Sequence, residues 1–304
     1  MTMFKRPHPW IFALLTLALA AVASPAAADD WSDTDVFIGV DDAAQALEAG
    51  ATFLDARDTE AFEDRHIPSA QPLPWQDLVD GEHVGALSDD DRRLERRLQQ
   101  AGLSNDVPVI IYGGWADEGA WGEEGRLFWT LEYLGHDDVQ ILEGGLGAWR
   151  ADGGDVSDGS TANGSGDFTV ERHQELRSTT DEIADSLDDE AIQLLDTREP
   201  GEYRGTPKYG EQRGGHIPAS THLWWRQLFD RHGDLHSPTT VRSLLDHQSI
   251  DLDAPIAAYC TGGIRSGFVY AVLRALGADR PTNYDASMWE WTARPEAPLQ
   301  SASP

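Results

Sequence analysis

Cysteine, lysine and long apolar runs are all scarce in this sequence of 304 residues. The single cysteine, Cys260, excludes an intrachain disulfide and a thiolate metal cluster. With 23 lysines and arginines against 53 acidic residues, the formal net charge is −30, and such a field repels nucleic acid and anionic lipid. Because 40% of the residues are hydrophobic, we expect a folded chain whose acidic groups lie at the surface.

The main apolar run lies near the N-terminus and is too short to span a bilayer. Lys5 and Arg6 precede an apolar stretch over 10–22, and three alanines at 26–28 come before two aspartates. A run of about 13 residues falls short of the roughly 20 that a membrane-spanning helix needs. The pattern is typical of a secretory signal peptide over residues 1–28. It predicts a periplasmic or secreted protein that has no membrane anchor after cleavage.

The remaining chain contains the same order of sequence elements twice. TFLDAR and HIPSA, which begin at 52 and 66, correspond to QLLDTR and HIPAS, which begin at 193 and 216. Further along each copy, a buried-type apolar run precedes a glycine-rich loop and an amphipathic helix. Strands that alternate with helices predict an α/β domain with a mainly parallel sheet. We therefore predict two such domains, over 29–150 and 168–304, joined by a flexible Gly- and Ser-rich linker over 151–167.

The duplication separates candidate structural residues from candidate catalytic ones. Asp196, Arg198 and His216 each have a counterpart in the first copy, and we interpret them as mainly structural residues that support the site from behind. A carboxylate at a strand end can hold loop amides while an arginine pairs with it. Cys260, in contrast, has no counterpart, since the first copy has Gly113 at that position. The second domain is therefore predicted to be the active one.

The loop that contains Cys260 has the composition of an anion-binding turn. It comprises Cys260, Thr261, Gly262, Gly263, Ile264, Arg265 and Ser266. Two glycines let several amide N–H groups point inward, and the N-terminus of the following helix adds partial positive charge. With Arg265 nearby, such a setting lowers a thiol pKa from about 8.5 to about 7 or below. The competing interpretation is a lone buried cysteine that acts as a small hydrophobic residue.

With these motifs, the sequence resembles the tandem-domain rhodanese family of sulfurtransferases. The matching stretches are LLDTREPGEYRG, GGHIPAS, AAYCTGGIRSGFVYAVLRALG and YDASMWEW, and bacterial two-domain thiosulfate sulfurtransferases share them best. The resemblance implies two tandem rhodanese-like domains, each with a five-stranded sheet flanked by helices. It also implies a ping-pong reaction in which Cys260 takes sulfur from thiosulfate as a persulfide and passes it to cyanide or a thiol.

Two arginines are candidates for binding the anionic donor. Arg265 would hold its sulfonate and support the thiolate, and Arg204 would lie at the pocket mouth. The sequence departs from vertebrate-type rhodaneses and mercaptopyruvate sulfurtransferases, which have a donor-binding arginine where this chain has Glu202. This departure disfavours mercaptopyruvate as the main donor, although Arg204, Lys208 or Arg213 could substitute.

Three other functions remain open at this point. A mercaptopyruvate sulfurtransferase and a non-catalytic persulfide carrier share the same loop chemistry. A rhodanese-fold phosphatase or arsenate reductase is disfavoured, because four residues separate Cys260 from Arg265 where cysteine phosphatases have five. We expect no metal and no cofactor, since the histidines lack ligand spacing. We also expect a monomer whose partners are a small anionic sulfur donor and a thiophilic acceptor.

Overall fold

A computed structural model describes residues 29–301, except for 116, 118, 163, 189 and 190. The predicted signal peptide, residues 1–28, lies outside the described residues. Within the part of the chain that is described, no helix is both long and apolar enough to cross a bilayer.

The first domain is built on a five-stranded parallel sheet with the strand order β1-β5-β4-β2-β3. Its strands are β1 (Phe37–Ile38), β2 (Thr52–Asp55), β3 (Gln71–Pro72), β4 (Val109–Tyr112) and β5 (Val139–Leu142). Its helices are α1 (Val40–Ala49), α2 (Thr59–Asp64), α3 (Asp91–Gln100), α4 (Glu123–Tyr133) and α5 (Gly145–Ala151). Short 3-10 turns cover Trp31–Asp33 and Trp75–Leu78.

The second domain repeats this architecture with one strand fewer, in the order β7-β6-β8-β9, again all parallel. Its strands are β6 (Gln193–Asp196), β7 (Thr221–His222), β8 (Pro255–Tyr259) and β9 (Arg280–Tyr284). Its helices are α6 (Thr180–Ser186), α7 (Pro200–Tyr203), α8 (Pro238–His247), α9 (Ile264–Ala275) and α10 (Ser287–Ala293). Further 3-10 turns cover Gln174–Leu176 and Trp225–Leu228.

The predicted fifth strand of the second sheet is reduced to a single bridge. Arg177 pairs in parallel with Asn283 of β9, in the place that β1 occupies beside β5 in the first sheet. The segment cannot extend into a strand because the turn Gln174–Leu176 ends directly before it and the N–H of Arg177 still donates to Gln174. The prediction of two tandem α/β domains with mainly parallel sheets is confirmed, and the strand count of the second domain is corrected from five to four.

The central strands are buried on both faces, as their apolar sequences require. All four residues of β4 are buried, and so are the last four of β8, which is typical of parallel strands covered by helices on both sides. Each of these strands ends in a tyrosine whose hydroxyl accepts from the backbone of the His-Ile-Pro element, at Ile67 and Ile217. Each His-Ile-Pro element is thereby fixed near the carboxyl edge of its sheet.

The two domains meet along helices α4 and α9. A Cβ atom on Gly125 would lie 2.3 Å from the Cα of Phe268, and one on Gly267 would lie 2.7 Å from the Cα of Arg126. The helices can approach this closely only because both positions are glycine. One hydrophobic core cluster consequently contains residues from both domains, among them Phe128 and Tyr270.

The segment predicted as a flexible linker lies along the first domain and is held there by backbone hydrogen bonds. Ser157 exchanges two such bonds with His66, and the N–H of Gly159 donates to Glu63. A Cβ atom on Gly166 would lie 1.8 Å from the carbonyl oxygen of Leu103. Gly166 thus permits close contact between two stretches of backbone. Amino-acid composition does not distinguish this use of glycine from a flexible linker.

Candidate active site

Cys260 directly follows β8 and begins the turn that leads into α9. The N–H of Gly263 points at Cys260 Sγ, with nitrogen and sulfur 3.1 Å apart. Gly263 has φ +85° and caps the helix, a conformation that favours glycine. The helix α9 begins at Ile264, directly after this glycine.

The turn is held by residues of β9 and of the first turn of α10. Ser287 Oγ accepts from the N–H of Cys260 at 3.1 Å, and the N–H of Trp289 donates to the carbonyl oxygen of Thr261 at 2.9 Å. Asn283 donates from Nδ2 to the carbonyl oxygen of Gly263 at 3.1 Å. The carbonyl groups are therefore bonded on the side away from the sulfur, which leaves amide N–H groups directed towards it.

The environment of Cys260 favours its thiolate. Burial alone would raise the pKa of the thiol, but the charge of Arg265 and the backbone N–H groups of Ser266 and Gly262 hold this pKa below its ordinary value. The shift has the direction that the loop composition predicts. A thiolate in this turn is a nucleophile that the following helix N-terminus also stabilises.

The guanidinium of Arg265 is bound to a carboxylate. Arg265 donates from Nη1 and Nη2 to the two carboxylate oxygens of Glu202, at 2.7 and 2.9 Å. Thr261 Oγ1 donates to the same carboxylate at 2.7 Å and accepts from Arg265 Nη2 at 2.6 Å. Arg265 therefore supports the thiolate. Its guanidinium, which was predicted to hold the donor, is instead bound by Glu202. The sequence singled out Glu202 as a departure and did not predict this pairing.

A cavity of about 250 Å³ opens above Cys260 between the two domains. Its walls are aromatic: Trp121 of the first domain packs against Tyr209 of the second with ring centroids 5.2 Å apart, and Trp75 packs against Trp289 at 6.4 Å. The lining also includes Gln76, Glu123, Thr261, Gly262, Ile264 and Arg265. Cys260 is therefore buried and still faces a cavity, unlike a residue sealed in a hydrophobic core.

The first domain contributes Trp75, Gln76, Trp121 and Glu123 to this cavity, and the sequence does not identify these residues individually. The fully buried Trp225 and Trp291, in contrast, belong to the hydrophobic cores. Trp75 and Trp121 lie more than a hundred residues from Cys260 in sequence, and no local pattern links them to it. The tandem arrangement gives the only sequence signal, because adjacent domains commonly form their sites at the interface.

The residues predicted to support the site form a repeated structural unit. Arg198 Nε and Nη2 donate to the carboxylate of Asp196, with the shortest contact at 2.6 Å, and Nη2 also donates to the carbonyl oxygen of Gly215 at 2.8 Å. Arg57 makes the same contacts to Asp55 and to the carbonyl oxygen of Arg65. This pair thus fixes the strand end and the loop before the His-Ile-Pro element in both domains.

His216 has an equally repeated role. Its Nδ1 lies 2.8 Å from the carbonyl oxygen of Tyr203, and its ring stacks on that tyrosine with centroids 3.8 Å apart. His66 makes the corresponding contacts to Phe62, at 2.9 and 4.0 Å. Since both domains share this stacked pair and only one has a nucleophile, the histidine maintains the fold.

The other cations proposed for donor binding lie elsewhere. Arg204 is exposed at the end of α7 and is not among the described residues that line the cavity. Lys208 Nζ forms an ion pair with Glu199 at 2.7 Å. Arg213 donates to the carbonyl oxygens of Trp291, Thr292, Arg294 and Ala297. The structure therefore does not place Arg204 in the lining of the cavity, and its place at the pocket mouth stays a prediction.

In the first domain, the position of the nucleophile is filled by a carboxyl group. A Cβ atom on Gly113 would lie 2.1 Å from Glu124 Oε2. Glu124 is fully buried, and neither carboxyl oxygen has a hydrogen-bond partner among the described residues. Burial, with a further contribution from neighbouring Glu123, raises the pKa of Glu124 to about 8, so this group is mainly neutral at pH 7. The first domain thus has neither the thiol nor space for one.

Metal ligation has no support in the described part of the chain, where no group of three or more His, Cys, Asp or Glu side chains could hold an ion. The fold and the site together define an α/β protein with a single cysteine in an amide-lined turn at a domain interface. The rhodanese-like domain family matches residues 39–152 and 179–294. The chain therefore belongs to the rhodanese family.

Individual relatives are consistent with this assignment. A thiosulfate sulfurtransferase of Azotobacter vinelandii is 28% identical over 278 residues, which cover 90% of this chain and 99% of that protein. The sulfur carrier protein TtuD of Thermus thermophilus is 30% identical over 243 residues, 76% of this chain and 83% of that protein. These relatives support sulfurtransferase activity for this chain.

The fold also resembles that of a solved enzyme structure. The anaerobic ergothioneine biosynthesis enzyme of Chlorobium limicola superposes with a TM-score of 0.77 over 89% of this chain and 71% of that one. At 21% sequence identity this likeness concerns the fold alone.

Proposed function

We propose that this protein is a thiosulfate sulfurtransferase that carries sulfur as a persulfide on Cys260. The thiolate attacks the outer sulfur of thiosulfate, a new S–S bond forms to Sγ, and sulfite leaves with the electron pair of the bond that breaks. Cyanide or a thiol then attacks the terminal sulfur, and Cys260 departs as the thiolate. The two half-reactions balance without an external oxidant or reductant, and they predict ping-pong kinetics.

One observation carries this proposal: the lone thiol faces a cavity and lies 3.1 Å from an inward-pointing amide, with its pKa held low. The turn is small, since it has only Thr261, Gly262 and Gly263 between Cys260 and the helix. A turn of this size suits an anion as small as one terminal sulfur atom. The same feature argues against a phosphatase, which needs a wider turn around a tetrahedral oxyanion.

Mass spectrometry of the intact protein after incubation with thiosulfate tests the chemistry directly. We expect the mass of one additional sulfur atom on the wild-type protein and none on Cys260→Ala. Release of this sulfur by cyanide should yield thiocyanate and restore the original mass. A wild-type protein that acquires no sulfur from thiosulfate or from any other sulfane donor would refute the proposal.

A persulfide carrier is the second candidate, and the relative from Thermus thermophilus favours it. A carrier and an enzyme would both form the adduct, but they differ in how the sulfur leaves. Sustained thiocyanate production over many turnovers supports the enzyme. A persulfide that persists in cyanide or small thiols and is discharged only by another protein supports the carrier.

A further inference from the structure

Arg126 of the first domain reaches the catalytic turn of the second. It lies in the first part of α4, and only 1% of its surface is exposed. The close crossing of α4 and α9 at Gly125 and Gly267 brings its backbone against α9. A Cβ atom on Gly263 would lie 2.2 Å from Arg126 Nη1, so this nitrogen is directly against the residue whose N–H contacts Cys260 Sγ.

The contacts of Arg126 do not account for all of its donors. Nη2 donates to the carbonyl oxygen of Gly85 at 2.7 Å, and the guanidinium lies over the ring of Trp129 at 4.8 Å from the centroid. Nε and Nη1 are buried and have no hydrogen-bond partner among the described residues. Unpaired donors of a buried cation are unfavourable unless a nearby negative charge compensates them.

The carboxylate closest to Arg126 is shared with another arginine. Asp285 Oδ2 lies 3.9 Å from Arg126 Nη2 and accepts from the N–H of Leu87, while Oδ1 accepts from Arg177 Nε at 2.9 Å. Two guanidinium groups thus face one carboxylate beneath the turn. The excess positive charge lies against Gly263, whereas Arg265 with Glu202 contacts the same turn at Thr261.

We propose that Arg126 is a positioning residue for Cys260, through which the domain without a nucleophile stabilises the thiolate and the persulfide of the other domain. Arg126 packs against Gly263, keeps the turn closed with its N–H on the sulfur, and supplies a positive charge that Asp285, shared with Arg177, compensates only in part. Burial lowers the pKa of Arg126 to about 10, which keeps the guanidinium charged at neutral pH. This inference builds on the proposed role of Cys260 as sulfur carrier.

The pH dependence of Cys260 alkylation by iodoacetamide tests the inference without any sulfur donor. In Arg126→Met we expect the pKa of Cys260 to rise by about one unit, which lowers the thiolate fraction, and hence the alkylation rate below that pKa, about tenfold. Arg126→Lys keeps the charge and should recover part of the loss. Arg57→Met is the matched control, because it removes a first-domain arginine that pairs with Asp55 away from the turn, and it should leave the thiol pKa unchanged.

Arg126→Gln provides a second variant should Arg126→Met fail to fold, since glutamine can still donate to the carbonyl oxygen of Gly85 but carries no charge. A folded Arg126→Gln or Arg126→Met with the wild-type thiol pKa would overturn the inference. Its failure is distinct from failure of the proposed function. If the wild-type protein takes up sulfur and the folded Arg126 variants have the wild-type thiol pKa, the positioning role alone is wrong. If Arg126 sets the thiol pKa and no sulfur is taken up, the sulfurtransferase proposal alone is wrong.

Discussion

Replacement of Glu202 by glutamine tests how the ion pair with Arg265 limits donor binding. Although burial opposes ionisation of Glu202, the hydrogen bond and the charge of Arg265 hold its pKa below the usual value, so the group is ionised at neutral pH. The carboxylate therefore neutralises the cation nearest to the cavity and repels an anionic donor. Glu202→Gln keeps one oxygen as an acceptor for Arg265 or Thr261 and removes the charge.

The expected size of the effect follows from Coulomb's law. A carboxylate and a donor sulfonate about 6 Å apart, at an effective dielectric constant near 20, repel by about 3 kcal/mol. Screening by solvent in the cavity reduces this repulsion to about 1.4 kcal/mol. Its removal in Glu202→Gln corresponds to a roughly tenfold lower KM for thiosulfate. The folded state should become less stable at the same time, because a buried ion pair loses one partner.

Steady-state thiocyanate formation at saturating cyanide, with the thiosulfate concentration varied, measures this KM, and thermal unfolding measures the loss of stability. Glu211→Gln is a suitable control, since Glu211 is also buried and contacts Thr261 at 3.4 Å, but has no contact with Arg265 among those that the structure describes. We expect a smaller change in KM for this control. A folded Glu202→Gln protein with an unchanged or higher KM for thiosulfate would show that the ion pair does not limit donor binding.

Two further predictions concern the turn and its counterpart in the first domain. Gly262→Ala should lower thiocyanate turnover at least tenfold, because the added Cβ would lie 2.0 Å from the ring of Trp289. Gly147→Ala is the control, because its added Cβ meets no described atom within 4 Å. This control should leave turnover unchanged and stabilise α5 by up to about 1 kcal/mol. Glu124→Gln should flatten the pH dependence of stability. The raised pKa of Glu124, about 8, means that between pH 4.5 and 8 the folded state holds a proton that the unfolded state has lost, so the wild-type free energy of unfolding falls by about 1.4 kcal/mol per pH unit as pH rises. Urea titrations at pH 5 and pH 8.5 measure this difference, and an equal slope in both proteins would contradict the assignment.

The elements that define the fold were predictable because their signals are local. The apolar runs before Gly113 and Cys260 are the central strands β4 and β8, and each is followed by a loop and a helix, as the sequence predicts. The duplicated Asp-x-Arg and His-Ile-Pro elements make equivalent hydrogen bonds in both domains, as a structural role would require. Each of these inferences depends on residues that lie within a few positions of each other.

What the sequence did not predict depends on contacts between distant residues. The pairing of Arg265 with Glu202 joins residues 63 positions apart, and glutamate in place of an arginine indicated only that the donor site differs. Trp121 reaches the cavity from the other domain. The composition of the 151–167 segment predicted chain freedom, whereas Gly166 serves close packing against Leu103. None of these contacts has a local periodicity or spacing that reveals it.

The burial of α9 indicates that the second domain depends on contact with the first. All residues from Ile264 to Leu273 are buried, although one side of this helix faces the first domain and not its own sheet. A fragment cut at the junction of the two repeats would expose that side to water and would lose the aromatic wall supplied by Trp75 and Trp121. The second domain, which contains the thiol, is therefore not an independent folding unit, because the first domain completes its hydrophobic core.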